Sequence, residues 1–154
     1  MAYEIERKFL VKDDSFIAQS FQKSVIKQGY ISTNKNAVVR VRTKDDKAFI
    51  TIKGINSGVS RQEWEYPIPL TDAEDMLNNL CSNNIISKTR YYVKHDNHLW
   101  EIDVFDGRHN GLIIAEIELS SEDETFSIPS FIGDEVTGNI RYYNSELSKS
   151  TFQP

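Results

Sequence analysis

The chain has 154 residues, of which 39% are apolar and 27% charged, with a formal net charge of -5. This is the composition of one ordinary globular domain, read here as spanning 1–154; no apolar run approaches the ~20 residues of a membrane span, and a general nucleic-acid binder would be basic. The single cysteine, Cys81, excludes an internal disulfide framework and a CxxC metal site, and a start that is charged from Glu4 is no secretory signal. The expectations are a cytoplasmic location, no nucleic-acid partner and no membrane.

Period-2 alternation predicts strands near 2–11, 25–32, 37–44, 47–54, 61–68, 87–95, 98–105 and 112–120. A short helix is expected at 14–23. Turn residues separate the strands: Asn34-Lys35-Asn36, Asp45-Asp46, Asn56-Ser57-Gly58, His95-Asp96-Asn97-His98 and Asp106 to Gly111. Thr71 with Glu74 forms a capping-box pattern before Met76, Leu77 and Leu80, and Ser121 with Glu124 repeats it before Phe126 and Ile128. A last helix is expected at 142–150. The fold class is α+β: an eight-stranded antiparallel β-barrel with helices packed outside.

The alternation carries an unusual message. Glu4, Glu6 and Lys8 share one side of the first strand, opposite Ile5, Arg7 and Phe9. Later strands present Arg40 and Arg42, Thr51 and Lys53, Glu63 and Glu65, Lys88 and Arg90, Glu101 and Asp103, and Glu116 and Glu118. Most of these i, i+2 pairs are of one sign. A solvated face normally mixes signs, because like charges side by side repel. The apolar partners require cover from outside, so the charged faces point into the lumen. Unpaired buried charge is too costly for a dry core, so the barrel is a hydrated tunnel.

Six paired bases against eight paired acids leave the lumen two charges negative, which would repel a polyphosphate. Hard cations reverse this: Mg²⁺ or Mn²⁺ binds through one or two carboxylates plus substrate phosphates, and two ions bring the lumen to about two charges positive. Arginine and lysine clusters suit phosphate oxygens. The residues therefore imply a metal-dependent polyphosphate site.

Glu4-Ile5-Glu6-Arg7-Lys8 is an ExExK motif that resembles the signature of the CYTH superfamily, the triphosphate tunnel metalloenzymes. The six later pairs follow that family's motifs in order, and the tail from Glu135 to Tyr142 is similar to short bacterial members, except that Asn139 stands where Asp is expected. The resemblance covers essentially the whole chain. It implies a closed tunnel and hydrolysis of inorganic triphosphate to pyrophosphate and phosphate, by a metal-activated water attacking the terminal phosphorus. Lys8, Arg40, Arg42, Lys53, Lys88 and Arg90 would clamp the substrate. Glu4 and Glu6 with Glu116 or Glu118 would hold one ion. The other of that pair, with Asp103 or Glu101, would hold the second. Glu63 and Glu65 would contact metal through water or orient the clamp. Lys8, Lys88, Glu101 and Asp103 form the catalytic set. The same residues would serve a class IV-type adenylate cyclase, a nucleoside or thiamine triphosphatase, or a non-catalytic polyphosphate- or nucleotide-binding module. A homodimer is a further expectation of the resemblance.

Other residues stand apart. Tyr30 is read as a packed aromatic or part of a tunnel mouth, and Arg141, Tyr142 and Tyr143 as the start of a helix that docks on or closes a tunnel end. His95, His98 and His109 are read as solvated turn residues, and Cys81 as a buried structural thiol.

Overall fold

The computed structural model describes residues 2–151. Strands β1 (Ala2–Val11), β2 (Gln22–Ser32), β3 (Val38–Lys44), β4 (Lys47–Ser57), β5 (Ser60–Pro67), β6 (Ile86–His95), β7 (His98–Phe105) and β8 (Ile113–Glu118) run antiparallel to their neighbours. Their order around the sheet is β5-β4-β3-β2-β6-β7-β8-β1, and β1 pairs again with β5, so the barrel closes. Asp45 and Asp96 turn their hairpins in the left-handed region at φ 55° and 53°, which aspartate tolerates better than most residues.

β1 makes the closure with only half of one edge. Residues 2–5 pair with β5, whereas Phe9 and Val11 pair with a ninth strand, β9 (Ile132–Glu135), which extends the sheet from β1 but takes no part in the closure. Four residues containing Gly133 carry too short an alternation to announce a strand. Its fit depends on close approach: a Cβ on Gly133 would sit 3.2 Å from the Leu10 carbonyl oxygen.

The apolar faces point outward, as the alternation requires. Over β1, β7 and β8, a layer of Phe9, Trp100, Ile102, Ala115 and Ile117 is covered by Phe16 and by Leu119, Phe126 and Phe131. Phe16 anchors α1 (Phe16–Gln19), one turn long, and the last two residues of the predicted 14–23 helix already belong to β2. Over β3 and β4, Val41 and Ala48 pack under Ala73, Leu77 and Cys81 of the α2 region (Leu70–Leu80). A third apolar group is the exception: Tyr30, Val38, Ile86, Phe105 and Ile114 share the parity of the inward side chains and close one end of the barrel with Leu112 and with Leu147 of α3 (Asn144–Leu147). Among the described residues, no helix is long and apolar enough to cross a membrane.

Both capping boxes fail. Pro69 occupies the N-cap of α2, so Thr71 lies inside the helix. Residues 119–131 form no helix; the Glu124 carboxylate instead accepts from Ser120 N (2.6 Å) and from the Ser120 hydroxyl (2.5 Å), and meets His98 Nε2 at 2.5 Å. The predicted 142–150 helix divides into a 3₁₀ turn at Ile140–Tyr142 and the single turn of α3. Asn139 caps that 3₁₀ turn by accepting from Arg141 N at 3.1 Å. His109 is not a solvated turn residue: it is 1% exposed, and its Nε2 meets the Leu147 carbonyl at 2.6 Å.

α2 rests on β2 at Gly29. A Cβ there would lie 2.5 Å from Cys81 Cβ and 2.9 Å from Leu77 Cδ2. Gly29→Ala is therefore expected to cost about 1–3 kcal/mol through overpacking, lowering the thermal midpoint by about 2–4 °C per kcal/mol. An unchanged melting curve would contradict the tight seat of α2.

Candidate functional site

Side chains alternate across the barrel wall, so the even positions of β1, β3, β6 and β8 and the odd positions of β4, β5 and β7 face inward. They enclose a cavity of about 280 Å³. Eight lysine or arginine side chains and seven carboxylates line it. All six predicted bases are among them, with Glu4, Glu6, Glu63, Glu65, Glu101, Glu116 and Glu118.

Asp103 is the exception. It is 1% exposed and does not line the cavity. Arg90 donates to both of its oxygens, at 2.7 and 3.0 Å, and Lys88 Nζ lies 2.7 Å from Oδ2. The cationic neighbours overcome burial and hold its carboxyl well below the usual range.

The strand order sorts the charges. Around the barrel, β4, β3 and β6 carry Lys53, Arg40, Arg42, Lys88 and Arg90, and β2, inside this arc, adds no charged side chain to the lining. The remaining arc, β7-β8-β1-β5, carries every lining carboxylate. Thus a basic half-wall faces an acidic one, and Lys8 and Arg61 are the cations within the acidic half.

Acids crowd on their own side. Glu6 is directly opposite Glu118 in the register, and Glu101 is opposite Glu116. Burial, with Glu116 and Glu4 nearby, pushes the Glu6 carboxyl well up; burial, Glu4 and Glu101 raise Glu118. Glu63 rises to about 8 through burial and its hydrogen bond to Glu4. Burial opposes ionisation of Glu4, but Lys53, 3.0 Å away, holds its carboxyl low. Lys8 is 3.8 Å from Glu116 and 4.0 Å from Glu6, and these acids raise it against burial. Its backbone is pinned as well: Lys8 N donates to Thr137 Oγ1 at 2.9 Å, and Val136 N donates to Lys8 O at 2.8 Å.

The basic wall is held from behind. Arg40 Nη2 donates to Thr51 Oγ1 (3.0 Å) and Glu65 (3.3 Å), yet its buried Nε has no partner among the described residues. Arg42 donates twice to Gln28 Oε1, at 2.8 and 2.6 Å. Burial, with Arg40 and Arg90 nearby, lowers the Arg42 guanidinium to about 9. Burial and the same kind of crowding push the Lys88 ammonium down.

The C-terminal segment reaches the cavity. Tyr143 stacks within 5.3 Å of Lys8 Nζ, and its hydroxyl accepts from Asn56 at 2.7 Å. Asn144 Oδ1 accepts from Lys88 Nζ at 2.9 Å. Tyr30 is both packed and lining, at 3% exposure. Arg141 does not line the cavity; its guanidinium lies over Tyr142.

Sequence reasoning missed Lys44, Arg61, Gln28 and Asn144. The first two carried a signal. Lys44 continues the Arg40–Arg42 ladder by two, and Arg61 precedes Glu63 by two. Gln28 and Asn144 carried none: a neutral amide does not show which face of β2 turns inward, and Asn144 lies on the short α3, outside the strand alternation.

Carboxylates crowded on one wall of a cavity are a hard-oxygen donor set. Among the described residues, no three are gathered into a ready coordination shell. Magnesium-like ions need only one or two carboxylates beside phosphate and water, so these residues fit such an ion.

The CYTH domain model matches residues 2–151. The chain belongs to the CYTH family. It is 45% identical to an inorganic triphosphatase of Acetivibrio thermocellus over 154 residues, covering 99% of this chain and 97% of that protein. It is 38% identical to an inorganic triphosphatase of Nitrosomonas europaea over 151 residues, covering 96% and 97%. Among solved structures, the inorganic triphosphatase NE1496 superimposes with a TM-score of 0.68 at 35% identity, over 97% of each chain. A putative adenylate cyclase of Bacillus halodurans shares the fold at 18% identity and a TM-score of 0.59. Metal dependence is a property of the CYTH triphosphatases.

Removing the buried carboxylate behind the basic wall tests the construction. Asp103→Asn leaves Arg90 and Lys88 facing each other without their counter-charge. It is expected to destabilise the chain by about 3–5 kcal/mol in urea titration. A loss below about 1 kcal/mol would show that the pair is not held this way.

Proposed function

We propose that this CYTH chain hydrolyses inorganic triphosphate to pyrophosphate and phosphate with divalent metal. The carrying observation is the two-sided tunnel, a basic half-wall opposed to an acidic one across about 280 Å³. The near-full-length likeness to two inorganic triphosphatases supports the same substrate.

Arg40, Arg42, Lys53, Lys88 and Arg90 take the phosphate oxygens. The unpartnered Arg40 Nε is a donor ready for one of them. Glu4, Glu6, Glu116 and Glu118 hold Mg²⁺ or Mn²⁺, two ions in our reading, with Glu63 and Glu65 bordering them. Bound there, the ions would screen phosphate charge and make a water more acidic. Lys8 reaches from the acidic half-wall toward the same space and offsets charge that builds on the transferred phosphoryl group.

The water oxygen bonds to the terminal phosphorus as the bridging P–O bond breaks, and pyrophosphate leaves. We assign Glu101 to receive the proton of that water, since it lines the cavity opposite Glu116 and its contact to Arg90 is a long 3.3 Å. Asp103, with both oxygens engaged by Arg90 and Lys88, supports the clamp in this reading and holds no metal.

Phosphate release is to be measured from tripolyphosphate, ATP and pyrophosphate, each with Mg²⁺, Mn²⁺ or EDTA. Release from tripolyphosphate well above ATP, abolished by EDTA, is the expected outcome. Lys8→Ala and Glu6→Ala should each lower kcat by about 10²-fold or more with the fold intact. Cyclic AMP from ATP would instead make the protein a cyclase. Tight binding without turnover would make it a binding module.

A further inference from the structure

Three arginines face the cavity from β3 and β6, and each is held by a different kind of partner. Arg90 is gripped by the Asp103 carboxylate. Arg40 is held by Thr51 and Glu65. Arg42 has no carboxylate at ion-pair distance among the described residues; its partner is the neutral amide oxygen of Gln28.

Gln28 is fully buried and does not line the cavity. It stands on β2, between the two strands that carry the arginines, and is directly opposite Arg42 in the register. A guanidinium only donates, so the amide must present its oxygen to Arg42. The other end of the amide secures that orientation: Nε2 donates to Asn144 Oδ1 and to the Tyr30 hydroxyl, each at 3.1 Å. Gln28 thus fixes the fork of Arg42 as firmly as an acid would, but leaves its charge standing. In a low-dielectric wall, that uncancelled charge draws an anion more strongly than a cation already in an ion pair.

We propose that Gln28 is a positioning residue whose neutrality reserves Arg42 as the strongest point of attachment for the inorganic triphosphate chain. This rests on the triphosphatase reading above. It predicts that the charge at position 28 matters more than its ability to hold Arg42.

The test compares Gln28→Glu with Gln28→Met in the full chain. The readouts are kcat and KM for tripolyphosphate with Mg²⁺, calorimetric titration with tripolyphosphate, and a melting curve. Glutamate should keep Arg42 in place yet raise KM by about 10-fold or more, with binding weakened to match. Methionine, which frees the fork but keeps its charge, should raise KM less and lower kcat. If Gln28 served only to support the fold, glutamate would substitute well and methionine badly; that order, or equal effects, overturns the proposal.

If the glutamate variant does not fold, Gln28→Met and Arg42→Met decide. Losses that do not add in the double variant support action through Arg42, and additive losses overturn it. A wild-type chain that hydrolyses tripolyphosphate while the glutamate variant matches its KM removes only the role of Gln28. A wild-type chain that neither binds nor hydrolyses tripolyphosphate removes the triphosphatase reading, and this inference with it.

Discussion

An unpaired charge taken out of water is penalised by several kcal/mol, and this barrel turns almost every charge of its motifs inward. The strands therefore cannot be held together from the lumen, except at the end where Tyr30, Phe105 and Ile114 meet Leu147. Cohesion moves outside. Trp100, Ile102 and Ile117 point away from the tunnel and are sealed by Phe16 and Phe131; Val41 and Ala48 are sealed by α2. Each large side chain so buried contributes about 1.5–3 kcal/mol. The helices and the 119–131 segment are thus the cover that lets a charged interior exist.

Inside, the same constraint decides which residues can wait for a ligand. Lys53 is matched to Glu4, and Arg90 to Asp103. Such pairs survive burial without help. Glu6, Glu118 and Glu63 are not matched in this way, and their carboxyls are pushed up by burial and by each other. Arg40 Nε and the fork of Arg42 are the corresponding surplus on the basic side. The surpluses have opposite sign and lie on opposite walls, which is the arrangement that a polyanion with cations along one flank would neutralise.

Much of this was legible in the sequence because strand geometry is strict. A period of two forces Glu4, Glu6 and Lys8 to one face, and no tertiary contact can undo it. The barrel, the inward charges and the outward core all followed. The sorting into two half-walls did not, because it depends on β2 and β6 pairing across a long connection and on β1 closing against β5. Asp103 read as a site acid for the same reason: its parity is right, but only the register places it under Arg90. Helix ends were the weakest inference. Ser121 and Glu124 have the residues of a capping box, but Phe126 and Phe131 are drawn individually onto the barrel core, and the backbone between them follows the core rather than a helix.

Neutral residues in a charged wall had no signature at all, and they explain how near-balance in charge coexists with direction. Eight cations and seven carboxylates would form a lumen of mutual ion pairs if each found its nearest opposite. One amide interrupts that pairing at Arg42, and a second adds to Lys88, which Asp103 already pairs. Gln28 occupies the middle strand of the basic arc and Asn144 enters from the C-terminal turn, and between them they accept hydrogen bonds from Arg42 and Lys88. At Arg42 the amide supplies an acceptor where a carboxylate would have supplied a charge. The clamp is thereby rigid before any anion arrives, and its field still points across the tunnel toward the acids. Rigidity lowers the ordering cost of binding, while the retained field supplies the attraction.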